Sequence, residues 1–198
     1  MGPDALAAAL GRYLEMMTDA IHQAGGIIDK YVGDAVMALW NAPAPCADHA
    51  LRACLAALAC RDAERRLCAS PEWAGRPTFR TRFGVHTDTV MVGHFGAPDR
   101  MSYTALGDGV NLSSRLEGLN KQYGTTVLTS ESIREAVGGA CLFRLVDVVA
   151  VKGKTRGVKV YELLGAAGEV NASRVDAAAA YEAGLALAKD VFEKEKPG

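Results

Sequence analysis

Residues 27–40 read Ile27-Ile28-Asp29-Lys30-Tyr31-Val32-Gly33-Asp34-Ala35-Val36-Met37-Ala38-Leu39-Trp40. Two largely apolar runs rich in β-branched and aromatic residues flank Gly33-Asp34, which predicts a β-hairpin closed by a two-residue turn. On a flat strand successive side chains alternate, so Asp29 is expected on the face of residues 27 and 31, away from Lys30.

Upstream, Leu6, Leu10, Leu14, Met17 and Ile21 recur three or four apart, which predicts a helix over 3–24. Pro3 suits a first helical position and Gly25-Gly26 a stop. Downstream, Asn41–Pro45 is a proline-rich loop, and residues 46–68 form a second helix with Leu51, Cys54, Leu55 and Leu58 inward. Phe79–His86 and Thr89–His94 are predicted to pair around Thr87-Asp88, with a further turn at Gly96–Arg100 and an extended stretch over Met101–Leu106. Val110, Leu112, Leu116 and Leu119 mark a third helix, for which Asp108 would be the cap. A strand over 125–129, a short helix from Ser130 and strands over 142–151 and 158–163 follow. Residues 166–172 read as a linker, and 173–194 as an isolated helix with Tyr181, Leu185, Ala188 and Phe192 on one stripe. Helices interleave with hairpins instead of alternating singly with strands, which predicts an α+β fold with a largely antiparallel sheet.

The chain has 198 residues, 49% hydrophobic and 23% charged, with Lys plus Arg at 22 against Asp plus Glu at 23. That balance excludes disordered and collagenous classes and gives no basic excess for nucleic acid or an anionic membrane. No apolar run approaches the ~20 residues of a membrane span, so no membrane contact by this chain is expected. Of the five cysteines, Cys46, Cys54, Cys60 and Cys68 fall in or beside one alanine-rich segment, Cys141 stands apart, and no Cys-x-x-Cys pair occurs. Buried thiols in a reducing, cytoplasmic setting are the expectation.

Three features could carry chemistry. Asp34 in a tight turn would be a carboxylate on a rigid scaffold, which suits Mg²⁺, although Asp also favours turns for its own sake. Asn111 and Arg115, four apart, share one helix face, where a planar guanidinium could meet phosphate or simply water. Lys152 and Lys154 flank Gly153 between two strands. His22, His49, His86 and His94 are scattered without ligand spacing, which gives no basis for a zinc site.

Taken in order, Lys30-Tyr31-Val32-Gly33-Asp34-Ala35-Val36-Met37-Ala38 and the stretch from Tyr103-Thr104-Ala105-Leu106-Gly107-Asp108-Gly109-Val110-Asn111 to Ser114-Arg115-Leu116-Glu117-Gly118 resemble the class III nucleotide cyclase catalytic domain. Val151-Lys152-Gly153-Lys154, followed by Val160-Tyr161-Glu162-Leu163, is similar to that domain's end, so the resemblance covers residues 5–165. It implies a ferredoxin-like α+β domain spanning 1–165, dimerising head to tail, and followed by the linker and terminal helix. It further implies an adenylyl cyclase that converts ATP to 3′,5′-cyclic AMP with two Mg²⁺ or Mn²⁺ ions. Such a domain would be the output part of a signalling protein in the cytoplasm, with membrane anchoring of the parent left open. By the family's pattern Asp34 is a metal aspartate, Lys30 and Thr104 read the purine, Asn111 and Arg115 stabilise the transition state, and Lys152 contacts the triphosphate. Lys30 argues for adenine, and the threonine type of purine position is similar to cyclases that respond to bicarbonate.

Two departures accompany the resemblance. The family's opening Phe-x-Asp-Ile-x-Gly-Phe-Thr strand, with its second metal aspartate, has no match here, which leaves a catalytically silent dimerisation or regulatory module as the alternative. The family's His-Thr-Gly turn reads His86-Thr87-Asp88, for which modest backbone strain at Asp88 is expected.

Overall fold

The computed structural model describes residues 2–149 and 157–194. The chain runs α1 (Pro3–Gln23), β1 (Ile27–Val32), β2 (Ala35–Leu39), α2 (His49–Ala69), β3 (Phe83–Val85), β4 (Met91–Ala97) and β5 (Arg100–Leu106). It continues through α3 (Asp108–Tyr123), β6 (Val127–Ser130), α4 (Glu131–Val137), β7 (Cys141–Val149), β8 (Val158–Ala166) and α5 (Ala172–Lys194). Among the described residues no helix is long and apolar enough to cross a membrane.

The predicted first hairpin forms: β1 and β2 pair antiparallel from Ile27↔Leu39 to Val32↔Ala35, closed by Gly33-Asp34. Gly33 takes φ +65°, a conformation that costs glycine little. The second predicted hairpin does not form. β3 and β4 lie in different sheets, and Asp88, without positive φ, carries no left-handed strain. Instead β3 pairs in parallel with β6, Phe83 opposite Val127 and Val85 opposite Thr129. The stretch at 101–106 is a full strand, β5, which turns back on β4 through Pro98-Asp99 with Ala97 opposite Arg100.

The largest sheet has the order β3-β6-β8-β7, antiparallel except for β3 on β6. Its central strand β6 is buried on both faces. Val127 joins Ala50, Cys54, Ala57 and Leu58 of α2 and Ile133 of α4 on one side. Leu128 joins Leu112 and Leu116 of α3, with Val146 and Val160, on the other. A further cluster packs Tyr13, Met17 and Ile21 of α1 on Cys60 of α2 and on Ile28, Val36 and Ala38 of the first hairpin. The buried stripe of α1 is Ala9, Tyr13, Met17 and Ile21, with Leu6 exposed, because the tyrosine and not a leucine faces α2. Likewise Leu55 of α2 points outward, while Cys54 and Leu58 fill the core.

Helix α3 sits so close to β3 that a Cβ on Gly84 would lie 2.1 Å from the Ser113 carbonyl oxygen and 2.5 Å from the Glu117 amide nitrogen. Ser113 Oγ donates to the Gly84 carbonyl at 2.8 Å. Buried Asn120 donates through Nδ2 to the carbonyls of Phe83 (3.0 Å) and Leu116 (3.0 Å) and accepts from Thr125 Oγ1 (2.8 Å). Gly107 precedes the helix at φ +149°, and Asp108 is its first residue, with no side-chain cap bond. The expected capping role for Asp108 is therefore not realised.

The last helix is docked on the sheet, not isolated. Glu182 Oε1 accepts the Leu145 N–H at 2.6 Å, Tyr181 donates to the Val146 carbonyl at 3.4 Å, and the Arg144 guanidinium stacks 4.4 Å from the Tyr181 ring centroid. A register shift between Leu145 and Asp147 accompanies these contacts, so α5 takes up backbone groups on an edge strand.

Burial pushes the Cys54 and Cys60 thiols up to about 12, far from the thiolate form. In the native protein at pH 8, a maleimide should therefore modify Cys46 and Cys68 well before Cys54 and Cys60, read by peptide mass. The closeness of α3 to β3 gives a second expectation. Gly84→Ala must displace backbone and should destabilise the domain by roughly 3 kcal/mol, lowering Tm by about 10 °C in a thermal melt. An unchanged melting point would show that α3 is free to back away.

Candidate active site

The first hairpin and β5 meet at a bulge. Between Ile28 and Lys30 the pairing with β2 slips by one residue, leaving Asp29 without a partner on that strand. A bulge puts neighbouring side chains on one side of the strand. Asp29 therefore turns toward β5 together with Lys30, contrary to the alternation expected of a flat strand.

Thr104 of β5 receives both. Its Oγ1 donates to Asp29 Oδ2 at 2.6 Å and accepts from Lys30 Nζ at 2.9 Å. The Ala105 N–H reaches the same Asp29 oxygen at 3.4 Å, and Lys30 Nζ lies 3.3 Å from Asp29 Oδ1. The Asp29 side chain is 0% exposed and that of Lys30 43%, so a buried carboxylate supports an ammonium that reaches solvent. Lys30 and Thr104, which the resemblance paired as purine-reading positions, are thus in contact. Asp29, expected on the face away from Lys30, joins it because of the bulge, and the only sequence trace of this is a charged residue next to Lys30.

Asp34 is exposed at the tip of the same hairpin. Asn111 and Arg115 are exposed on α3, each one residue before a buried leucine, Leu112 and Leu116. Among the described residues, none of these three makes a side-chain hydrogen bond or ion pair, and nothing joins Asp34 to the α3 pair. Lys152 and Lys154 lie outside the described residues.

No group of three or more His, Cys, Asp or Glu side chains converges as a metal cage among the described residues. A lone carboxylate on a tight turn instead fits Mg²⁺ carried by a polyphosphate, since that ion keeps water and phosphate oxygens for most of its shell.

A second polar cluster lies at the end of β3. His86 Nδ1 is 2.7 Å from Ser130 Oγ and 3.3 Å from Ser132 Oγ, and Ser132 donates to the Thr87 carbonyl at 2.9 Å. Asp88 accepts its neighbour's Thr89 N–H at 2.8 Å. These bonds fix the course of residues 86–89 into β4 after the parallel strand.

Residues 3–165 match the family model of the adenylate and guanylate cyclase catalytic domain. Adenylate cyclase 1 of Rhizobium meliloti is 38% identical over 177 residues, covering 89% of this chain and 27% of that protein. The adenylate cyclase of Anabaena cylindrica is 40% identical over 167 residues, covering 82% of this chain and 33% of that protein. The chain thus spans about a third or less of these curated relatives. Among solved structures, the adenylyl cyclase CyaB from P. aeruginosa is similar with a TM-score of 0.76 at 30% identity, over 86% of this chain and 88% of that one. The guanylyl cyclase Cya2 gives a TM-score of 0.70 at 28% identity, over 86% of each chain. The architecture and the length of these matches agree, and the chain belongs to the class III adenylate and guanylate cyclase catalytic domain family.

Proposed function

We propose that this domain is an adenylyl cyclase that turns ATP into 3′,5′-cyclic AMP and pyrophosphate in the groove of a homodimer, as the cytoplasmic output domain of a signalling protein. The observation that carries the reading is the Lys30–Thr104 contact at 2.9 Å, which sets an ammonium on the hairpin that bears Asp34 beside a hydroxyl oxygen on β5. Such a pair offers a base edge one donor group and one oxygen, whereas a merely structural lysine would face water.

In the reaction the ribose 3′-hydroxyl loses its proton, its oxygen bonds to the α-phosphorus, and the bond from that phosphorus to the bridging oxygen of pyrophosphate breaks. Arg115 would present its fork of donors to the charge that grows on the phosphoryl oxygens, where such contacts are worth most. Asn111, one turn earlier on the same face, would orient the sugar, and Lys152 would meet the triphosphate. Asp34 would hold the divalent ion, Mg²⁺ or Mn²⁺, which in a two-ion arrangement supplies positive charge to the attacking and leaving oxygens. Bicarbonate is the proposed activator, on the strength of the threonine at position 104.

Where the groups sit supports the homodimer. Asp34 and Lys30 belong to one hairpin and Asn111 and Arg115 to a separate helix, so a two-fold pairing of copies would build two equivalent sites from both sets. Large apolar side chains support it: Tyr31, Val32, Met91, Met101 and Leu106 are exposed on the two hairpins.

Two experiments test the reading. Asp34→Asn and Arg115→Ala should each lower cyclic AMP release by about 100-fold or more. Mixing the two variants should restore part of the activity, because each mixed dimer keeps one unaltered site. A silent mixture in which mixed dimers demonstrably form would count against the shared site. Cyclic AMP release by the unaltered full protein, with Lys30→Glu eroding its preference for ATP over GTP, is the second expectation. Nucleotide binding without any cyclic product would instead favour the silent dimerisation module.

A further inference from the structure

We propose that Asp29 sets the hydrogen-bonding polarity of Thr104, so that the site takes a purine with a 6-amino group and rejects one with a 6-oxo group. The inference rests on the purine-reading role proposed for Lys30 and Thr104 and names the residue that gives that pair its selectivity.

A threonine hydroxyl has one proton and two lone pairs, and left alone it rotates to donate or accept as its neighbour requires. Here it has no such freedom. Asp29 Oδ2 can only accept, and at 2.6 Å it takes the Thr104 proton. Lys30 Nζ can only donate, and at 2.9 Å it takes one lone pair. What the pair still offers a ligand is a lone pair on Thr104 Oγ1 and the unused N–H donors of Lys30.

Adenine presents a 6-amino donor beside the N1 acceptor, which is the complement of that offer. Guanine and hypoxanthine present a 6-oxo acceptor beside an N1–H donor. Placed in the same register, they would set oxygen against oxygen at Thr104 and N–H against ammonium at Lys30. A site whose polar groups are left unpaired by the wrong ligand discriminates strongly.

The placement of Asp29 favours this role over a purely structural one. It occupies a bulge, which gives up a ladder partner, and its side chain is 0% exposed. Its Oδ1 atom has no hydrogen-bond donor among the described residues, with Lys30 Nζ at 3.3 Å supplying charge alone. A buried carboxylate with an idle oxygen is costly to folding. An apolar residue would serve the hairpin better, whereas the carboxylate serves Thr104 and Lys30.

The test uses the full protein and follows kcat/KM for ATP, inosine triphosphate and GTP, with thermal melting to monitor the fold. Inosine triphosphate differs from ATP at the 6-position and N1 alone, so the ATP-to-inosine ratio reads this contact without the 2-amino group of guanine. Asp29→Asn keeps the shape but can donate to Thr104, freeing its proton, and should lower the ratio by about tenfold or more. Thr104→Ser, which keeps the hydroxyl, should preserve the ratio, whereas Thr104→Val should lower it as Asp29→Asn does. Adding Asp29→Asn to Thr104→Val should lower it no further, because Asp29 acts through the hydroxyl. If Asp29→Asn does not fold, the serine and valine variants decide, and equal ratios from those two overturn the proposal. A well-folded Asp29→Asn protein that keeps the ratio within about twofold also overturns it. Failure of the underlying reading looks different: the unaltered protein would then show no preference for ATP at all.

Discussion

The seat of α3 on β3 is the constraint on which the rest of the domain depends. At Gly84 the helix backbone comes within the distance that any side chain would occupy. Ser113 and Asn120 hold the approach by donating to the carbonyls of Gly84 and Phe83, groups that a short strand leaves available. Once the helix is seated, Leu112 and Leu116 are committed to the core beside Leu128, and Asn111 and Arg115 can only face outward. The exposed polar pair is thus positioned by close packing of the neighbouring leucines on the same helix. Such packing cannot give way gradually, because protein interiors have few voids to absorb a shift.

The hairpin side of the site follows a different logic. Its backbone is regular except at the bulge, where one unpaired residue redirects a carboxylate toward β5. Stability and chemistry pull in opposite directions there: ladder pairing is given up, and an acidic side chain is taken from water. Hydrogen bonds from Thr104 and Ala105 and the charge of Lys30 offset that cost. The bonds from Thr104 and Ala105 to Asp29, with the one from Lys30 to Thr104, hold β5, and with it the β4–β5 hairpin, against β1. A site and a join between two hairpins are therefore one object.

Away from the site the core explains the composition. β6 is buried on both faces, which accounts for a run of Val127, Leu128, Thr129 and Ser130 with no polar alternation. The buried hydroxyl of Thr129 donates to the Tyr161 carbonyl, so even the polar members of the strand are satisfied. Cys54 and Cys60 act as small apolar residues between helices, held protonated by burial.

Much of this was legible in the residues. Apolar spacing at three and four marks α1, α2 and α3, because a helix must bury one stripe whatever it packs against. Gly33-Asp34 between two β-rich runs marks the first hairpin, because only a few residue types accept a two-residue turn. The residue types at the candidate site could be picked out too, since a guanidinium, an ammonium and a turn carboxylate each suggest a chemistry that their neighbours in sequence do not settle. What the sequence could not decide is which strand lies beside which. Phe83–Val85 has the same local pattern whether it folds back on the next strand or pairs in parallel with one more than forty residues later. Nor could it decide the direction of Asp29, because a bulge depends on the register of the partner strand and not on the strand's own residues. Local propensity is a property of a few neighbours. The parallel pairing, the bulge and the meeting of Asp29, Lys30 and Thr104 arise from contacts between segments far apart in the chain, and only the tertiary structure supplies those.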